Sequence, residues 1–187
     1  MELGKTLCIQ SREEWHQWLE NNHNKEKEIW LLFPKISSGK IRIEYNDAVE
    51  EALSFGWIDS TVRKIDDTYS AQRFSRRNPG SRYSQANIER LRWLAREGKL
   101  KPEVLDSVKN ILTEDFALPE DILKEIKSST AAYKNFLTFS PAYIRIRIGY
   151  IDAARNRPEE FRKRLNYFIK MTEKNKMFGY GGIEKYY

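Results

Sequence analysis

The residues of this chain best suited to chemistry lie between positions 57 and 87. Asp59 stands two residues past Trp57, and Arg73, Phe74 and Arg76 sit on the β-prone run that follows. Burial would raise the pKa of Asp59, and a neighbouring arginine would lower it. Asp59 reads in two ways, as a group that orients a ligand amine or takes a proton, or as an ion-pair partner that sets strand register. A single carboxylate without a partner acid or nucleophile is not a catalytic constellation, so no catalytic residue is assigned. Arg73, Arg76, Arg77 and Arg82 form a basic run, and Ser81, Ser84 and Asn87 follow at the start of a helix. A helix N-terminus beside arginines can hold a phosphate or a carboxylate. The alternative is that Ser84 caps and Asn87 bonds the preceding loop. The candidate ligand-binding set is Trp57, Asp59, Arg73, Phe74, Arg76, Ser81, Ser84 and Asn87, with Trp57 equally readable as core.

Other chemistries find little support. His16 and His23 are the only histidines and Cys8 the only cysteine, and none is spaced for a metal site. No metal and no cofactor is expected. Gly179-Tyr-Gly-Gly182 lacks the following helix and the Lys-Ser/Thr of a phosphate loop. A lone cysteine allows no intrachain disulfide, in keeping with a reducing cytosol.

Two β-prone runs, 57–65 and 68–76, must position the candidate residues. With Asp66-Asp67 as a two-residue turn, Trp57 lies opposite Arg76, Asp59 opposite Phe74 and Ser60 opposite Arg73. Trp57, Asp59, Phe74 and Arg76 then share one face. A three-residue loop would change that register. Upstream, Lys5–Ile9 and Glu28–Phe33 read as strands, the second ending at Pro34. Ser11 and Glu14 have capping-box spacing, as do Asp47 and Glu50, each opening a helix. Gly56 suits the left-handed position that ends the second. Asn78-Pro-Gly80 closes this half. Helices are then expected over 84–97, 102–112, 119–127, 130–137, from Ser140-Pro141 onward, and over 158–175. Trp15, Trp18, Trp30 and Trp93 read as core.

The fold class expected is α+β: a small mixed sheet with helices in the N-terminal half (1–80, hairpin 57–76), and a helical C-terminal half (81–176) packed against it. A Gly/Tyr tail (177–187) is either pinned by its aromatics or loose. On the helical wheel of the Ser140 helix, Arg147 falls inside the apolar arc. It is expected to pair with a buried acid, Asp59 being one candidate.

The net charge of +6 is unevenly spread. Residues 63–101 carry 11 basic and 4 acidic side chains, and residues 140–187 carry 11 and 5, while the remaining two segments are net acidic. Two basic blocks suit an anionic partner if they form one face, although a solvated surface would look the same. No apolar run approaches the roughly 20 residues of a membrane span, so no membrane insertion is expected. The N-terminus shows no signal peptide, and a cytoplasmic location is expected.

Several motifs occur in a fixed order: Glu14-Trp-His-Gln-Trp-Leu-Glu20, Ile29-Trp-Leu-Leu-Phe-Pro-Lys35, Phe55-Gly-Trp-Ile-Asp-Ser60, Arg73-Phe-Ser-Arg76, Ser81-Arg-Tyr-Ser-Gln-Ala-Asn87, Leu118-Pro-Glu-Asp-Ile-Leu123, Ser140-Pro-Ala-Tyr143 and Ile151-Asp-Ala-Ala-Arg155. Together they resemble the YdeI/OmpD-associated, or bacteriocin-protection, family over nearly the whole chain. Ser54 stands where that family usually has Cys, Tyr83-Ser84 where it has Trp-Ser, and Glu160-Phe-Arg162 where it often has Glu-Thr-Arg. The resemblance implies a prokaryotic protein tied to stress or antimicrobial-peptide tolerance, with no established reaction or ligand. The expectation is a non-enzymatic binding protein with a basic–aromatic surface for an anionic ligand, a nucleic acid or a phosphorylated metabolite. The alternatives are a small-molecule enzyme with an Asp/Arg pocket, a nucleic-acid-binding protein, and an envelope-stress adaptor with a protein partner.

Overall fold

The computed structural model describes residues 3–179 and 184–186. Among them are four strands, β1 (Thr6–Cys8), β2 (Glu28–Pro34), β3 (Trp57–Lys64) and β4 (Tyr69–Arg76). Eight α-helices accompany them: α1 (Arg12–Asn22), α2 (Tyr45–Ser54), α3 (Gln85–Arg96), α4 (Pro102–Thr113), α5 (Glu120–Lys127), α6 (Thr130–Phe136), α7 (Pro141–Asp152) and α8 (Pro158–Glu173). The fold is α+β. It divides into two compact units, Met1–Ser81 with Leu94–Lys109, and Arg82–Trp93 with Asn110–Tyr187.

The first unit is built on a mixed sheet of order β1-β2-β4-β3, in which β1 and β2 run parallel and the other pairs antiparallel. α1 begins where Ser11 Oγ accepts the Glu14 N–H at 3.2 Å, while the Glu14 carboxylate accepts the Gln10 N–H at 2.8 Å. Its apolar face brings Trp15 and Leu19 out of solvent. Trp15 stacks on Trp18 (centroids 5.2 Å apart) and meets Phe74 of β4 edge-on at 5.5 Å, so α1 covers the sheet face that carries Phe74. Offset and edge-to-face contacts of this kind add about 0.5–1.5 kcal/mol each beyond burial. α2 ends at Gly56, whose φ of +72° an L-residue adopts only with strain.

Two local expectations change. Asp47 and Glu50 do not form a capping box: α2 starts at Tyr45 behind Glu44, with no side-chain cap. Both carboxylates turn instead to Arg12 of α1, a long-range ion pairing that outweighs local capping. The hairpin loop is also longer than two residues. Ile65 and Asp66 donate to the Tyr69 carbonyl, and Asp66 Oδ1 accepts the N–H groups of Thr68 and Tyr69 at 2.6 and 2.7 Å. These two bonds hold the Asp66 carboxyl below its ordinary pKa. The resulting one-residue shift is absorbed by a bulge in β3 between Asp59 and Val62. Trp57↔Arg76 and Asp59↔Phe74 therefore pair as expected, while Ser60 is no ladder partner of Arg73.

In the second unit, Ser129 caps α6 and Ser140 caps α7 ahead of Pro141, each accepting the N–H three residues on. Ile122, Ile126, Phe136, Tyr143, Ile148, Ile151, Leu165 and Phe168 form one buried cluster from α5 to α8. The described part of the tail is pinned. Phe178 packs edge-on against Tyr167 at 4.8 Å, and Tyr186 is buried beside Trp93 and Ile146. The rest of the Gly/Tyr tail, 180–183 and 187, lies outside the described residues.

Candidate functional site

The hairpin residues expected at a site have structural partners. Trp57 is 1% exposed and donates its Nε1–H to the His23 carbonyl at 3.2 Å; Phe74 is fully buried. Both are core side chains, and a surface ligand does not reach them. Asp59 is half-buried and accepts the Tyr45 hydroxyl at 2.6 Å. Arg73 donates through Nε to Glu28 Oε2 at 3.0 Å, again through Nη2, and through Nη1 to Ser60 Oγ at 3.4 Å. The hydrogen bonds from Arg73 hold the Glu28 carboxyl below its ordinary pKa. Arg76 turns its Nε–H to the carbonyls of His23 and Glu26, both at 3.0 Å, tying β4 to the loop after α1. Ser81 is exposed, and its carbonyl accepts from Arg77. In the second unit, Ser84 Oγ accepts the Asn87 N–H at 3.3 Å, and Asn87 Oδ1 accepts from Arg90 Nη1 at 2.9 Å. Ser84 thus caps α3, while Asn87 serves its own helix.

The strongest electrostatic cluster of the first unit surrounds Arg12. Its Nε–H meets Glu51 at 2.5 Å, and Nη1 meets Glu50 at 2.9 Å and Asp47 at 3.1 Å. Glu51 also contacts His16 Nδ1 at 2.8 Å. Burial pushes the Arg12 pKa down, but Glu51 and Glu50 outweigh it and the net shift is upward. This cluster ties α1 to α2. Among the described residues, no group of three His, Cys, Asp or Glu side chains is arranged to hold a metal ion.

In the second unit, Glu89 of α3 is the counterpart. It accepts Arg145 Nε and Nη2 at 2.7 and 2.8 Å, Arg92 Nη1 at 3.0 Å and Gln85 Nε2 at 2.9 Å. Burial pushes its carboxyl up, yet these partners prevail and its pKa lies below the ordinary value. The geometry is that of a structural clamp between α3 and α7.

Two further features stand apart from these clusters. The first is the outer face of α8, where Lys163, Tyr167 and Lys170 are exposed at helical spacing, with Lys174 exposed at the helix's C-cap. Arg164, half-buried on another side of the helix, is neutralised by Glu160 at 2.7 Å. No carboxylate of the described residues lies within ion-pair distance of Lys163, Lys170 or Lys174, although Glu160, held by Arg164, is near enough to Lys163 to feel its charge. The sequence carries that signal in its 163/167/170/174 spacing and in the positive balance of 140–187.

The second is Arg147, which meets no buried acid among the described residues. It is 6% exposed, with its Cζ 5.7 Å from the Tyr143 ring centroid and 5.6 Å from that of Phe178. Its expected partner Asp59 is engaged by Tyr45 instead. Aromatic faces, which attract a cation through their quadrupoles, stand where an acid was expected.

Fold and surface together define an α+β protein that holds several of its arginines in ion pairs and presents exposed lysines along α8. No helix of the described residues is long and apolar enough to cross a membrane. Residues 7–107, more than half of the chain, match a family described as a domain of unknown function, DUF8412, and residues 115–175 match the family described as bacteriocin-protection, YdeI or OmpD-associated. The chain therefore belongs to the DUF8412 family, and its 115–175 region is similar to the bacteriocin-protection, YdeI or OmpD-associated family. The latter match is narrower than the motif order implies. Phe55–Ser60 and Arg73–Arg76, its most specific motifs, fall within the DUF8412 match. No curated protein and no solved structure matches the chain.

Proposed function

We propose that this protein is a non-enzymatic binding protein, acting in the cytosol, whose ligand is a single-stranded nucleic acid held on the outer face of α8. The observation that carries this reading is the run of lysines that no described carboxylate meets at ion-pair distance. Lys163, Lys170 and Lys174 lie along one face over about 16 Å of helix axis. Tyr167, 50% exposed, stands among them with a ring on which a base can stack. By contrast, Arg73 and Arg76, the hairpin cations expected to meet the ligand, are already held by Glu28 and by backbone carbonyls. The family description of the 115–175 region supports a role in tolerance of antimicrobial peptides.

The test is fluorescence anisotropy with a labelled single-stranded oligonucleotide. Three phosphate contacts give a log–log salt slope of about −2, so affinity should fall about 20-fold between 50 and 200 mM salt. Lys163→Gln/Lys170→Gln/Lys174→Gln should flatten that slope, and Tyr167→Ala should weaken binding about fivefold or more. Salt-insensitive binding, or a triple variant that binds like the parent, would overturn the assignment.

A further inference from the structure

Arg147 is a cation that the core encloses with no carboxylate of the described residues beside it, and its surroundings are specific. A Cβ added at Gly179 would lie 2.7 Å from Nη1 and 2.8 Å from both Cζ and Nη2. Near-equal distances to Cζ, Nη1 and Nη2 place that position above the guanidinium plane, over its Nη1/Nη2 end. The Tyr143 and Phe178 rings lie close by, and the Tyr143 hydroxyl accepts the Phe178 N–H at 3.1 Å, fixing this part of the tail. The backbone at Gly179 meets the face of the guanidinium, whereas its N–H groups point outward along its edge. Nε is buried and has no acceptor. An enclosed charge without an acceptor is unfavourable. Cation–π attraction offsets part of that cost, but a ring face accepts nothing from in-plane N–H donors.

We infer that Arg147 anchors a binding site for a small oxyanion, one that presents two acceptor oxygens to the guanidinium edge, as a carboxylate or a phosphate does. The fork of donors matches that pair of oxygens in plane. Tyr143 and Phe178 form the apolar surroundings, and the absence of a side chain at Gly179 lets the tail lie directly on the guanidinium. This site is separate from the α8 face and stands or falls independently of nucleic-acid binding.

The test uses the full chain with acetate, succinate and inorganic phosphate as probes, at constant ionic strength against chloride. The thermal midpoint and the Arg147 Nε–H resonance are followed. The expected result is a rise in the midpoint and a saturable shift of that resonance with at least one probe. The carboxylates and the phosphate tell the two chemistries apart. Arg147→Lys keeps the charge but loses the fork, and should bind about tenfold more weakly. Arg147→Met removes the uncompensated charge at similar volume. It should melt higher than the parent without anion and show no response to the probes. A purely structural arginine would give the opposite sign in the anion-free midpoint. If Arg147→Met does not fold, Gly179→Ala decides: its methyl crowds the guanidinium, and parental affinity in that variant overturns the site. No response beyond chloride in the parent, or equal responses in parent and Arg147→Met, also overturns it.

Discussion

Replacing Glu89 by Gln tests the clamp between α3 and α7. Glu89 is 4% exposed and receives both Arg145 and Arg92. The substitution keeps the shape and removes the charge, leaving two partly buried guanidinium groups without their carboxylate. Removing one partner of a buried ion pair costs about 3–5 kcal/mol. The arginine side chains are 26% and 23% exposed, so water recovers part of that cost and a loss of about 3 kcal/mol follows. For a chain of this size that lowers the melting midpoint by about 6–12 °C. The pH dependence gives a second, independent check. The folded pKa of Glu89 lies below its unfolded value, so its stabilisation is fully present above the unfolded value, near 4.5. It is lost as pH falls through the depressed folded pKa. Parent and Glu89→Gln should thus differ most at neutral pH and converge in acid. Urea unfolding at a series of pH values measures this. A neutral-pH difference under about 0.5 kcal/mol, the usual size of a bland surface change, would refute the reasoning. So would a gap that widens in acid.

Two further substitutions probe packing and charge. Gly149→Ala should lower the melting midpoint although Ala favours helix by about 1 kcal/mol, because overpacking costs about 1–3 kcal/mol. The new methyl would lie 2.5 Å from Gln85 Cβ, so a higher midpoint would show that α3 and α7 yield easily. Arg12→Met leaves Asp47, Glu50 and Glu51 without their shared guanidinium and should cost about 3–4 kcal/mol in urea unfolding, with Arg12→Lys recovering part. A loss under about 1 kcal/mol would mean that the carboxylates find water instead.

What the sequence reveals follows the range of each interaction. Ser11, Ser129 and Ser140 cap helices through contacts three residues away, and Gly56 ends α2 through its own backbone angle. Such signals are local and legible. Asp47 and Glu50 carry the same local spacing as a capping box, yet their partner Arg12 comes from another helix. The bulge in β3 is equally hidden, because it reconciles a turn held by Asp66 with a register set further along the strands. The candidate site suffers most from this. A run of arginines announces charge but not compensation, and Glu28, the partner of Arg73, lies 45 positions away on β2.

Compensation is therefore the quantity that separates scaffold from site in this molecule. Arg12, Arg73, Arg145 and Arg155 each meet carboxylates, and their free energy is spent holding helices and strands together. A cation so engaged can meet a ligand only by giving up a native partner, which makes binding there self-defeating. Lys163, Lys170 and Lys174 give up only water. Arg147 gives up still less, since an enclosed guanidinium edge has little water to lose and an acceptor to gain. The two surfaces differ in what they select. A solvated lysine stripe attracts by summed charge and yields to salt. A single fork among aromatic rings selects by shape and direction, and salt screens it far less. Salt titration of nucleic-acid binding and of small-anion binding in the same preparation would therefore separate the two sites even without a substitution.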